Sequence, residues 1–158
     1  MHTFHFRSIA LALTAAFGLG LSGVTLASDM KPEDAIKFRK AGYNFMSWNM
    51  GKIKASVEGT FNRDEVLRSA QAIAAVANSG MGALYLPDTD RNHGDQTTRL
   101  KSEFFQEPER VREIAMNFNA QANELAKVAA SGNPTAVAAQ FKRLGDACKA
   151  CHDRYRAK

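Results

Sequence analysis

The last helix-forming stretch carries the tightest constraint in the chain. From Pro134 onward, Val137, Phe141, Leu144, Cys148, Cys151 and Tyr155 recur at steps alternating four and three. That is the spacing of a helix face packed inside a bundle. Two of these six inward positions are cysteines, and a histidine follows at once in Cys148-Lys149-Ala150-Cys151-His152. Residues three and four apart share a helix face, so both thiols and the imidazole project to one side. A bundle built on this face must leave room inside for whatever those groups hold.

Two thiols so placed can add across the two vinyl groups of one haem, with the imidazole meeting the iron from below. That is the physical content of the C-x-x-C-H signature of covalent c-type haem attachment. Three other readings compete. A zinc site wants four ligands, but there are no other cysteines, and outside the first 27 residues the only other histidine is His93. A thioredoxin-like C-x-x-C adjoins a βαβ pattern, and no strand pattern precedes this one. A structural disulfide remains open, although it would leave His152 without a task.

Residues 1–27 read as a secretory signal peptide. His2, His5 and Arg7 make a polar start, Ile9 to Leu21 carries no charge, and Thr25-Leu26-Ala27 offers small residues for cleavage. A membrane anchor needs about 20 apolar residues, and the glycines between Gly18 and Gly23 suit that poorly. Cleavage after Ala27 leaves residues 28–158 as one domain. It also places the protein in the periplasm, outside the bacterial cytoplasm, where haem is ligated to such motifs. The 21 basic against 16 acidic residues give a formal charge of +5. The excess is scattered, with no basic run or RNA-type aromatic motif, which argues against nucleic-acid binding.

The rest of the chain predicts three more helices. The first opens at Lys31-Pro32-Glu33-Asp34, with proline in the first turn and acids at the positive end of the dipole. Its seam is Ile36, Arg39, Tyr43, Met46, Met50, Ile53 and Val57. Arg39 is out of place on an apolar seam, because a buried guanidinium needs a partner. A haem propionate would supply one; snorkelling from the seam edge is the alternative. Phe38, Ala41, Phe45 and Trp48 form a second apolar stripe on nearly the opposite side. Either a subunit interface covers it or the long connection below folds over it.

Asn62-x-x-Glu65 reads as a capping box for the second helix, with Val66, Ala70, Ile73 and Ala77 inward and a stop at Asn78-Ser79-Gly80. From Gly80 to about Glu107 no period survives, yet Met81, Leu84, Tyr85, Leu86, Phe104 and Phe105 are too apolar for a disordered segment. This connection is expected to cross one end of the bundle and close over a haem edge. Pro108 opens the third helix, with seam Val111, Ile114, Phe118, Gln121, Leu125 and Val128. Gly132 stops it, and Asn133-Pro134 caps and opens the fourth.

Three stretches carry a family resemblance. They are Phe38-Arg39-Lys40-Ala41-Gly42-Tyr43, Met46-Ser47-Trp48-Asn49-Met50-Gly51-Lys52-Ile53-Lys54, and Gly145-Asp146-Ala147-Cys148-Lys149-Ala150-Cys151-His152-Asp153-Arg154-Tyr155-Arg156. With the leader, four helices, long second connection and C-terminal C-x-x-C-H, residues 29–158 resemble cytochrome c′, the class II c-type cytochromes, nearest the purple sulfur bacterial type. The resemblance implies an all-α fold, an antiparallel up-and-down four-helix bundle with haem c held covalently inside. It implies a homodimer packed through the first two helices and a five-coordinate, high-spin iron. By position, Cys148 and Cys151 would be the thioether cysteines and His152 the proximal ligand. Arg39 would meet a propionate, and Lys40 stands where glutamine is frequent. Gln96 and Thr97 fall where the connection meets the haem edge, Arg156 near the proximal face, and Tyr43 in the distal position.

The function so implied is binding of small diatomic gases, nitric oxide and carbon monoxide, with electron transport as a further role. A six-coordinate, low-spin electron carrier is the alternative, with Tyr43 or Met46 as the second ligand; Met46 reads more simply as core filler. A peroxidase-type enzyme would want a distal histidine as acid–base catalyst, and the bundle seams contain none. The leader carries its own test. Mass spectrometry of the protein purified from periplasm should give a mature chain beginning at Ser28, and a retained leader would show that the segment is not cleaved.

Overall fold

A computed structural model describes residues 30–158, and the expected signal peptide lies outside them. Four long helices follow one another, α1 (Pro32–Glu58), α2 (Arg63–Ala77), α4 (Pro108–Ser131) and α5 (Pro134–Tyr155), with a single-turn α3 (Glu103–Gln106) before α4. Each long helix packs chiefly on the next in sequence, and α5 returns to α1. Short turns at residues 59–62 and 132–133 force their flanking helices antiparallel. The result is the expected up-and-down four-helix bundle.

The helix ends follow from local chemistry. Pro32 sits in the first turn of α1 with Glu33 and Asp34 beside it. Asn62 Oδ1 accepts from the Glu65 amide at 3.1 Å, and Asn133 Oδ1 from the Ala136 amide at 3.0 Å, so each side chain satisfies an otherwise orphaned donor. Gly132 ends α4 at φ 71°, a left-handed backbone that a side chain would strain.

Ile36 and Ile53 of α1, Val66, Ala70 and Ile73 of α2, Leu125 of α4, and Val137 and Leu144 of α5 are buried as their spacing predicts. The α4 seam differs from expectation. Ala122 and Ala129 hold the buried positions, whereas Gln121 and Val128 are only half-buried. A seam read from bulky side chains overlooks alanine, which takes the positions where helices approach most closely. Gln121 moves to the edge instead, where Gln140 Nε2 donates to its Oε1 at 2.8 Å.

The outer stripe of α1 is not covered by the connection. Phe38, Phe45 and Trp48 are 51%, 46% and 59% exposed, and Lys52 Nζ stands 3.8 Å over the Trp48 ring. The connection crosses the other side. It leaves α2 through Gly80, makes a 3-10 turn at Met81–Leu84 over Gly42 of α1, and runs back to the end of α5. There the Lys101 amide donates to Tyr155 O at 2.9 Å and the Ala157 amide to Arg99 O at 2.8 Å.

Leu125 is fully enclosed by the central apolar cluster. Leu125→Ala should therefore destabilise the holoprotein by about 2–5 kcal/mol in urea unfolding, the usual cost of a buried leucine. A cost near zero would mean that α4 is not packed as described.

Candidate haem site

Where the connection closes on the bundle, a cavity of about 1200 Å³ lies among the helices, with Met46, Met50, Ile73, Phe118 and Leu144 among its apolar walls. Ligand and cofactor pockets span roughly 300–1,000 Å³, so this one can take a large organic group. From α5, Cys148, Cys151 and His152 all line it, as their shared face requires. The two thiols are free and half-buried. Burial pushes both up from the ordinary thiol value, and for Cys148 the neighbouring Cys151 adds to the effect. Burial and then Arg99 pull His152 down, against Asp153, which favours the neutral imidazole with a free lone pair. Among the described residues no three His, Cys, Asp or Glu side chains converge as a site for a bare ion. These groups are spaced to hold something larger.

The lining is also one-signed. Among the described residues Arg39, Lys40, Arg99, Arg112 and Arg156 contribute to it and no carboxylate does. An apolar cavity with two thiols, an imidazole and an excess of cations fits a flat apolar macrocycle that bears two carboxylates.

Arg39 is buried, which removes the snorkelling alternative, but its partners correct the premise that a propionate must supply them. Its Nη1 donates to Leu84 O at 3.2 Å and Thr89 Oγ1 at 3.1 Å, and its Nη2 to Thr89 O at 3.0 Å and Thr98 Oγ1 at 3.1 Å. The connection satisfies the guanidinium, and Nε takes part in none of these four bonds. Lys40, Tyr43, Thr97 and Arg156 line the cavity. Gln96 does not. Its backbone pairs with His93 and its side chain donates to Asp95 at 3.0 Å, so a tight local turn holds it away. Thr98, two residues on, lines the cavity beside Thr97.

Sequence reasoning placed Tyr85 and Phe104 only as apolar loop residues. Both line the cavity, and Tyr85 Oη lies 2.9 Å from Tyr43 Oη. It also missed the clasp at the C-terminal end. Glu107 accepts from Arg154 Nε at 2.6 Å and Nη2 at 2.8 Å, and from Tyr155 Oη at 2.7 Å. Glutamate just ahead of the helix-opening Pro108 is a signal that could have flagged an anchor, but its partners lie 47 and 48 residues away.

Haem-attachment chemistry at the end of an antiparallel four-helix bundle defines a class II c-type cytochrome. Sequence comparison agrees. The chain belongs to the cytochrome c′ family, whose model matches residues 34–156. It is 55% identical over 150 residues to cytochrome c′ of Allochromatium vinosum, covering 94% of this chain and 97% of that protein. The crystal structure of cytochrome c′ from Thermochromatium tepidum superposes with a TM-score of 0.80 at 53% identity, over 83% of this chain and all of that one. Another cytochrome c′ structure, 56% identical with a TM-score of 0.80 over 82% of this chain and 98% of that one, is described as having ligand-controlled dimer dissociation. The Alcaligenes xylosoxidans protein has been solved with nitric oxide and with carbon monoxide in variants. At 24% identity, TM-scores of 0.70 and 0.71, and 81% coverage of this chain against 98% of those, that likeness is one of fold. The cofactor of the family, and of this chain, is covalently attached haem c.

The Glu107 clasp gives a pH prediction. Hydrogen bonds from Arg154 and then Tyr155 hold its carboxyl down to about 2 from the usual 4.5. A group held down in the folded state stabilises above its unfolded pKa and stops doing so as pH falls through the folded one. In urea unfolding, wild type should therefore exceed Glu107→Gln by a constant margin from pH 7 to 5. That margin should shrink to nothing between about pH 4.5 and 2. A margin independent of pH would show that the carboxylate charge is not what the clasp uses.

Proposed function

We propose that this chain is a periplasmic haem c protein that binds small uncharged diatomic gases at a five-coordinate, high-spin iron, carries electrons, and is not an enzyme. The observation that carries this reading is the contrast between the cavity's contributors. From α5 come two thiols and an imidazole. From α1 comes Tyr43, whose phenol is already hydrogen-bonded to Tyr85. Cys148 and Cys151 are the thioether cysteines in this reading and His152 the proximal ligand. When bound, haem c supplies the iron at which a gas coordinates and an electron is held. The protein's residues do the rest: Lys40, Thr97 and Arg156 offer charge and hydrogen bonds toward the propionates and the proximal face, and Arg39, its terminal nitrogens held by the connection, offers its charge. The apolar walls favour an uncharged diatomic over water.

Among the described residues His152 is the only histidine lining the cavity, so no second imidazole is placed for acid–base work on a ligand. The signal-peptide pattern of residues 1–27 supports periplasmic location. The exposed Phe38, Phe45 and Trp48 support a homodimer packed through α1 and α2. The 56% identical relative with ligand-controlled dimer dissociation supports both the dimer and its response to a ligand. Nitric oxide and carbon monoxide carry over as ligands from the family. One observation favours the low-spin reading: Tyr43 and Met46 both line the cavity. Against it, Tyr43 is bonded elsewhere and Met46 is buried in the core cluster.

The reduced absorption spectrum, taken with and without nitric oxide, decides between the two. A single broad band that changes on adding gas is expected; sharp α and β bands would establish the six-coordinate electron carrier. Cys148→Ser with Cys151→Ser should leave no haem bound to the acid-denatured chain on a gel. Haem that still migrates with it would overturn the attachment.

A further inference from the structure

The gas-binding reading gives Tyr43 the distal position but says nothing about what places its phenol. Among the described residues, the polar contact seen for that phenol is the hydroxyl of Tyr85, 2.9 Å away. The two partners are held very differently. Tyr43 stands on the cavity side of α1 and is 38% exposed. Tyr85 lies in the connection just after the 3-10 turn and is fixed by its ring. Phe104 stacks on it with centroids 4.3 Å apart and planes 17° from parallel, and the Arg39 guanidinium stands 4.6 Å from its centroid. Phe104 in turn meets Tyr155 edge-on at 5.6 Å, and Tyr155 is tied to Glu107. Tyr85 therefore belongs to a rigid aromatic block anchored on α5, whereas Tyr43 is tied to that block through one hydroxyl.

Burial pushes both phenols above their ordinary value, so both stay protonated across the working range. A neutral hydroxyl pair shares one hydrogen bond and holds one further proton and several lone pairs. Swinging Tyr43 aside breaks that bond.

We propose that Tyr85 is the positioning residue of the distal pocket: its hydroxyl latches the Tyr43 phenol across the cavity, and a diatomic ligand enters by breaking the latch. The proposal rests on the gas-binding reading and adds to it the residue that sets how readily the pocket opens. The latch works against ligand binding by the worth of one net hydrogen bond, so its removal tightens binding by about two- to tenfold. Tyr85→Phe is the sparing change, since it keeps the ring that stacks on Phe104 and faces Arg39.

Carbon monoxide titration of the ferrous holoprotein tests this with wild type, Tyr85→Phe, Tyr43→Phe and the double variant. Tyr85→Phe should tighten binding about two- to tenfold in the wild-type background and leave it unchanged in the Tyr43→Phe background, because the two hydroxyls act as one unit. An unchanged affinity in Tyr85→Phe, or an equal gain in both backgrounds, overturns the latch while leaving the gas-binding reading intact. A wild type that takes up neither carbon monoxide nor nitric oxide overturns that reading, and the latch with it. A measurement on the unaltered protein is independent of how the variants fold. With ¹³Cζ-labelled tyrosine, the Tyr85 resonance should shift between the ligand-free and carbon monoxide forms as its partner leaves. A Tyr85 resonance that stays fixed through the titration overturns the proposal.

Discussion

The buried guanidinium of Arg39 is the constraint on which the site depends. A charge on the inward seam of α1 is costly unless its donors are met, and here they are met by the connection. Two backbone carbonyls, at Leu84 and Thr89, and two hydroxyls, at Thr89 and Thr98, converge on its terminal nitrogens. Thr89 is itself fully buried. Three separated points of one loop are thus pinned to one side chain. A segment without regular structure then gains a defined path across the bundle end, and that path forms one wall of the cavity.

The far end of the connection is tied by different means. The Leu100–Arg156 bridge and the bonds from Lys101 and Ala157 bring it onto the end of α5. The Glu107 clasp on Arg154 and Tyr155 then fixes the turn into α4. These anchors all hold residues 154–157, just past the segment that bears Cys148, Cys151 and His152. The attachment residues therefore sit on a helix whose C-terminal end is tied down, whereas the Tyr43 phenol has a single hydroxyl contact. A pocket with one rigid wall and one yielding residue suits a cofactor that stays and a ligand that comes and goes.

Much of this was legible in the sequence, for identifiable reasons. The three-and-four spacing of large apolar residues gave four helices, and Asn62, Gly132 and Asn133 marked their ends. The seams went astray where alanine or a polar side chain carries the packing, at Ala122, Ala129 and Ala147 and at Asn49, Ser56 and Gln140, because such residues hardly register in a hydrophobic pattern. Cys148, Cys151 and His152 were legible because their chemistry is confined to five residues. Arg39 stood out as a charge on an apolar stripe, but its partners did not, since they lie 45 to 59 residues away in a segment without period. Tyr85 and Glu107 were missed on the same ground. Gln96 does not line the cavity whereas Thr97 and Thr98 do, because a tight turn at His93–Gln96, invisible in a segment without period, sets which side chains face inward.

The two stripes of α1 bear on how a ligand and a partner subunit could sense one another. At 3.6 residues per turn, side chains two apart point about 200° from each other. Tyr43 and Phe45 therefore lie on opposite sides of one helix, the first at the cavity and the second on the exposed stripe with Phe38 and Trp48. Met46 and Ile53 hold the same helix into the core. A close-packed core resists local deformation, so whatever part of a displacement the Tyr43 side chain does not take up by swinging would be carried by the helix as a unit. In a dimer built on the outer stripe, the subunit contact and the pocket would be two faces of one rigid element. The strength of any coupling is bounded by how differently the ligand binds monomer and dimer, and by linkage the dimer must resist the ligand as much as the ligand weakens the dimer.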